Sequence, residues 1–112
     1  MSRRYTKTLI DAGITQNTTG MLTIYETSQN NEFGFYFKFD GGSNAGQVVI
    51  ETAFDEEDTD TWAIVDTINW SADNKIHYSG PSGAFRALRA RISTAIGVGN
   101  VTVKAVAQGN PV

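Results

Sequence analysis

The chain has 112 residues, the size of one domain and too small for two of ordinary dimensions, so a single core without covalent staples is expected. It contains no cysteine, which excludes disulfides and thiolate metal sites and leaves the redox compartment open. Nine Lys and Arg against twelve Asp and Glu give a net charge of −3, which argues against a nucleic-acid partner held by phosphate contacts.

The N-terminus reads Met-Ser-Arg-Arg-Tyr-Thr-Lys, and the apolar run of a signal peptide does not follow. No stretch approaches the ~20 apolar residues of a membrane helix, so no membrane partner is expected of a protein made in the cytoplasm. The basic Ser2–Lys7 segment, with Arg3 and Arg4, is expected to be either an extended arm lying along a neighbouring subunit or a disordered end.

Strands are expected at Tyr5–Ile10 and Met21–Glu26, with a polar break at Gln29–Asn31. The clearest strand is Phe33–Phe39, where Phe33, Phe35, Phe37 and Phe39 alternate with Gly34, Tyr36 and Lys38. A helix would scatter those rings around its circumference, whereas a strand gathers them on one buried face. The glycine-rich run Asp40–Gly46 then supplies a turn. Gln47–Phe54 follows, with Val48, Ile50 and Phe54 as its core set. Between Asp55 and Asp60 five of six residues are acidic, which reads as a solvated, self-repelling loop. Trp62–Asn69 and Lys75–Ser79 are the next strands, separated by Ser71–Asn74. After the turn Gly80–Gly83 comes Ala84–Ile92. Its good helix formers make a helix over 83–95 the rival reading, but Phe85, Leu88 and Ile92 form only a thin helical stripe. As a strand it buries Leu88, Ala90 and Ile92 and sends Arg89 and Arg91 to the outer face. A turn at Gly97–Asn100 leads into Val101–Gln108, with Val101, Val103 and Ala105 inward. About eight short strands with regular turn signals predict an all-β fold, a two-sheet antiparallel sandwich of jelly-roll or immunoglobulin-like connectivity.

Sites of chemistry are sparse. His77 is the single histidine, and no nucleophile motif accompanies it, so it reads as a half-exposed strand residue with no catalytic role. The acidic run offers calcium several oxygens but lacks the glycine turn and distal glutamate that make ligands converge, so no metal is assigned. No phosphate-cradling glycine motif is present, and no cofactor is expected. Tyr25, Tyr36, Trp62, Trp70 and Tyr78 are candidates for a sugar-stacking platform if they reach the surface. Arg89 and Arg91, two apart on one strand, leave the same face and call for an anionic partner. That partner is either internal, Glu51 or Asp66, or lies on another subunit, joined there by Arg3 and Arg4.

The order of features from Gly46 onward carries a resemblance. Gly-Gln-Val-Val-Ile-Glu-Thr-Ala-Phe-Asp leads through an acidic turn to Asp60-Thr-Trp62 and Ile64. Then come Phe85-Arg-Ala-Leu-Arg-Ala-Arg-Ile-Ser93 and Gly99-Asn-Val-Thr-Val-Lys104. This resembles small β-sandwich proteins of tailed-phage virions over roughly the last two-thirds of the chain. It departs from them at Glu56, Glu57 and Asp58, which stand where those proteins carry a glycine-rich turn. The resemblance implies a structural role in capsid decoration, a head fibre or tail attachment. The short chain without a shaft segment favours a decoration (cement) protein that binds the major capsid protein or another virion protein, forms a homo-oligomer and resides in the virion. The alternative expectation is a carbohydrate-binding module.

Overall fold

The structure is a computed structural model that describes residues 3–23, 32–41, 45–55, 58–70, 76–81 and 87–109. Its elements are β1 (Arg3–Gly13), β2 (Thr19–Thr23), β3 (Glu32–Asp40), β4 (Gln47–Asp55), β5 (Asp58–Asn69), β6 (Ile76–Ser79), β7 (Ala87–Thr94) and β8 (Asn100–Gly109). Sheet I runs in the order β1-β8-β3-β6 and sheet II in the order β2-β7-β4-β5. Every pairing is antiparallel. Each sheet interleaves strands from the two halves of the chain, and successive strands pass from one sheet to the other except β4 and β5, which pair as a hairpin within sheet II. The result is the expected two-sheet antiparallel sandwich, with four strands in each sheet.

The phenylalanine ladder explains why β3 sits inside sheet I. Phe35, Phe37 and Phe39 are fully buried, and β8 supplies Ala105, Val103 and Val101 opposite them in register. Sheet II answers with Leu22, Val48, Ile50, Leu88, Ala90 and Ile92, all buried in the same cluster. Phe33, at the end of the ladder, is half-buried against that core. Phe54 of the expected core set has a side chain outside the described residues.

The two long margins of the sandwich are each stitched by a polar bond. At one, Lys7 Nζ of β1 donates to the Met21 carbonyl of β2 at 2.8 Å. At the other, the buried Ser79 hydroxyl of β6 donates to Asp66 Oδ2 of β5. One end closes where the chain after β3 meets the chain before β8. Gly99 has φ +93°, and a Cβ there would stand 1.8 Å from the Asp40 carbonyl oxygen, so only glycine fits.

Two expectations need correction. Arg3–Lys7 are not a free arm: they form the first half of β1, paired from Arg3 opposite Gly109 to Lys7 opposite Ala105. The acidic stretch is not one long loop, because pairing of β4 with β5 continues out to Asp55 opposite Asp58 and leaves only Glu56 and Glu57 between the strands. By contrast, the strand expected at Ala84–Ile92 is present over 87–94, held by β2 on one side and β4 on the other. Backbone pairing decides the first two cases, and the local side-chain pattern does not report it.

Candidate functional site

The outer face of sheet II carries the two arginines. Glu51 of β4 lies directly opposite Arg89 of β7, and Arg91 is opposite Val49, one step along the same face. Arg89 Nε donates to Glu51 Oε1 at 2.8 Å, while Arg91 donates from Nε to Oε1 at 3.0 Å and from Nη2 to Oε2 at 3.2 Å. Arg91 Nη1 also reaches Asn17 Oδ1 at 3.2 Å, and the Arg89 guanidinium stacks 4.1 Å above the Trp62 ring. The result is a lateral ladder, Trp62–Arg89–Glu51–Arg91–Asn17, tying β5, β7, β4 and the β1–β2 turn. Burial on its own would push the Glu51 carboxyl up. The hydrogen bonds and positive charges of Arg91 and Arg89 outweigh it and hold the group below its ordinary range.

Of the two counter-charges considered for this pair, Glu51 is therefore the one used, and Asp66 is turned to Ser79 instead. The arginines are bound into the fold, with one carboxylate balancing two guanidinium groups. Arg3 and Arg4 stand at the start of β1, on the margin of sheet I, and the pairing does not bring them to Arg89 and Arg91 in sheet II. Their side chains lie outside the described residues.

His77 faces inward on β6, half-buried, with its ring edge-to-face against Phe39 at 5.8 Å. Among the described residues no three His, Cys, Asp or Glu side chains gather as metal ligands would. The side chains of Asp55–Asp60 lie outside the described residues.

The outer face of sheet I is different in character. Thr8, Lys104, Tyr36 and Tyr78 follow one another in register across all four strands, and Thr102, Lys38 and Ile76 form the adjacent row. Tyr36, Tyr78 and Ile76 are 46%, 58% and 64% exposed. The two tyrosine rings lie 4.9 Å apart at 56°. Two shallow depressions of about 360 and 280 Å³ meet at Tyr36 and Lys104, making one groove across the face.

The five aromatics singled out from the sequence thus separate. Tyr36 and Tyr78 come together on sheet I and Trp62 lies on sheet II. Trp70 packs against the core, and its buried indole N–H has no acceptor among the described residues. Tyr25 lies outside the described residues. The sequence reading missed Lys38, Lys104 and Ile76 as members of this face. Each could be read as outward-pointing from its own strand, but only the strand order makes them neighbours. It also missed Val49, on the same face as Arg91 yet 1% exposed.

No family model matches the chain, and no curated protein matches it in sequence. Solved structures do match in fold. The SPBc2 prophage-derived protein YomS superposes with a TM-score of 0.66 at 14% identity, covering 97% of this chain and 96% of that one. The PBSX exported protein XepA gives 0.61 at 11% identity, with 96% of this chain matching 38% of the larger protein. A protein of the Bacillus endospore appendages, described as disulfide-linked pili, gives 0.52 at 14% identity over 98% and 92% of the two chains. At these identities the likeness establishes the fold alone: an all-β sandwich of two four-stranded antiparallel sheets, shared with phage-derived proteins.

Proposed function

We propose that the chain is a structural protein of a phage virion, and specifically a decoration protein that binds the outer surface of the assembled capsid. The observation that carries this reading is the end-to-end correspondence with a prophage-derived sandwich, in which almost nothing of either chain is left over. The geometry agrees with a role in holding rather than in chemistry, since the charged ladder on sheet II is engaged within the fold. Stabilisation of the shell then follows from mass action. A protein that binds the lattice but not the free subunit shifts the assembly equilibrium, by about 2.7 kcal/mol per site at a hundredfold excess over Kd. Catalysis has no part in this reading.

Capsids of the encoding phage, assembled without this chain, provide the test. Added back in purified form, the chain should co-sediment at a fixed ratio to the major capsid protein and raise the temperature at which the shell disassembles. Failure to co-sediment with assembled capsids, or equal affinity for unassembled subunits, would refute the proposal.

A further inference from the structure

We infer that the outer face of sheet I binds an acidic polysaccharide, with Tyr36 and Tyr78 stacking on sugar rings and Lys38 and Lys104 meeting their carboxylates. The site stands on the geometry of that face and does not depend on capsid binding.

A Cβ placed on Gly34 would fall 2.9 Å from Cε1 and from the hydroxyl oxygen of the Tyr78 ring, and one on Gly80 would fall 2.7 Å from the same hydroxyl. Two positions without side chains therefore form the bed on which the ring lies against the sheet. The ring covers Gly34, which is buried, while Tyr78 itself stays more than half exposed. With Tyr36 tilted beside it, the pair makes an angled shelf. Such a shelf suits a pyranose, whose C–H face stacks on an aromatic ring while its hydroxyls reach outward to polar neighbours.

The surroundings of the shelf select among partners. A stable protein–protein contact needs roughly 800 Å² from each side with an apolar centre. Here the depressions are open and take in Tyr36 and Ile76 together with Thr6, Thr8, Thr102 and the two lysines, and Tyr78 stands beside them against Tyr36. A row of side chains crossing four strands spans about 14 Å, which fits a short stretch of an extended chain.

Charge narrows the class further. Lys38 and Lys104 are exposed, and neither forms an ion pair among the described residues, although the whole chain is acidic. The carboxylate that lines the groove belongs to Asp40, and its Oδ1 is engaged by the Gly41 backbone N–H at 2.8 Å. Two cations beside two rings match a polymer with one acid per sugar better than the dense phosphates of a nucleic acid.

Affinity electrophoresis and calorimetry of the intact chain test the site. The probes are three carboxylated polysaccharides (polygalacturonate, alginate and hyaluronan), neutral dextran, poly-glutamate and an oligo-thymidine strand. At least one carboxylated polysaccharide should retard the chain, while dextran and poly-glutamate should not. Tyr78→Ala and the double change Lys38→Gln with Lys104→Gln should each weaken binding by about tenfold. Gly34→Ala adds a methyl that meets only the tip of a movable ring. It should leave the melting temperature unchanged yet weaken binding, because the ring is lifted from the sheet. Retardation by none of the three polysaccharides overturns the inference. So does equal binding to poly-glutamate, to dextran or to the oligonucleotide, or binding that the variants leave intact.

Discussion

Replacing Glu51 with glutamine should destabilise the chain by about 2–3 kcal/mol at neutral pH. The substitution keeps the shape and one acceptor oxygen but removes the charge from a side chain that is 6% exposed and bonded to both Arg89 and Arg91. Truncating one partner of a fully buried pair costs about 3–5 kcal/mol. The arginine side chains here retain 22% and 23% exposure, so solvent offsets part of that loss. The acid side of the stability curve carries a second signature. Glu51 has a lowered pKa in the fold, so the unfolded chain takes up this proton at higher pH than the folded one. Its contribution is complete above the ordinary glutamate value of about 4.3 and is lost as pH falls through the lower folded value. Urea unfolding of both proteins, from neutral pH down to about pH 3, reads both effects. The gap between them should be widest near neutrality and shrink with acid. Changing Glu51 to Leu together with Arg89 and Arg91 to Met should recover most of the loss, because the unmatched charge is what destabilises. A gap below about 0.5 kcal/mol at neutral pH, or one that stays constant as pH falls, would refute the reasoning.

Phe37→Ala, at a fully buried position in the centre of β3, should cost about 3–5 kcal/mol in urea unfolding. Gly99→Ala should cost about 2 kcal/mol or more, because φ is +93° and the new methyl would enter the Asp40 carbonyl oxygen. Its melting temperature should therefore fall while that of Gly34→Ala does not. Asp66→Ala removes the acceptor of the buried Ser79 hydroxyl and should cost about 1–2 kcal/mol. Hydrogen exchange should then speed up in β6 before β8, since β6 is an edge strand and β8 is paired on both sides.

What could be read in the sequence was whatever a single strand displays by itself. Phe33–Phe39 announces its buried face because four large rings recur at every second residue, and no helix could gather them. Leu88, Ala90 and Ile92 do the same more quietly against Arg89 and Arg91. What could not be read depends on pairing. The residues Asp58–Thr61 have no apolar alternation, and they are strand because the pairing with β4 runs on, through a register shift after Ala53, to Asp55 opposite Asp58. Arg3 and Arg4 look like a tail because they are basic and terminal, and they are strand because β8 runs back alongside them. The sequence names Glu51 and Asp66 as equal candidates to meet the arginines. Register separates them, placing Glu51 opposite Arg89 and Asp66 opposite Ile50. The face of sheet I was the least legible, because Tyr36, Tyr78 and Lys104 come from β3, β6 and β8, and only the order β1-β8-β3-β6 sets them in one row.

A two-sheet sandwich commits both inner faces to its core, which leaves the outer faces, the edge strands and the connecting loops for anything else the chain does. On sheet II the outer face is tied up: Val49 is buried, Glu51 is enclosed by two arginines, and Trp62 lies under one of them. A partner that drew on these charges would have to break a ladder that holds β4, β5 and β7 together. On sheet I the exposed side chains make few such bonds among the described residues. Its tyrosines rest on each other and on glycine, and its lysines extend into solvent. Binding there disrupts nothing on which the fold depends. The same asymmetry separates the outcomes of substitution. Changes at Glu51 should move stability, and changes at Tyr36, Tyr78, Lys38 and Lys104 should move binding while unfolding stays within about 0.5 kcal/mol of the parent.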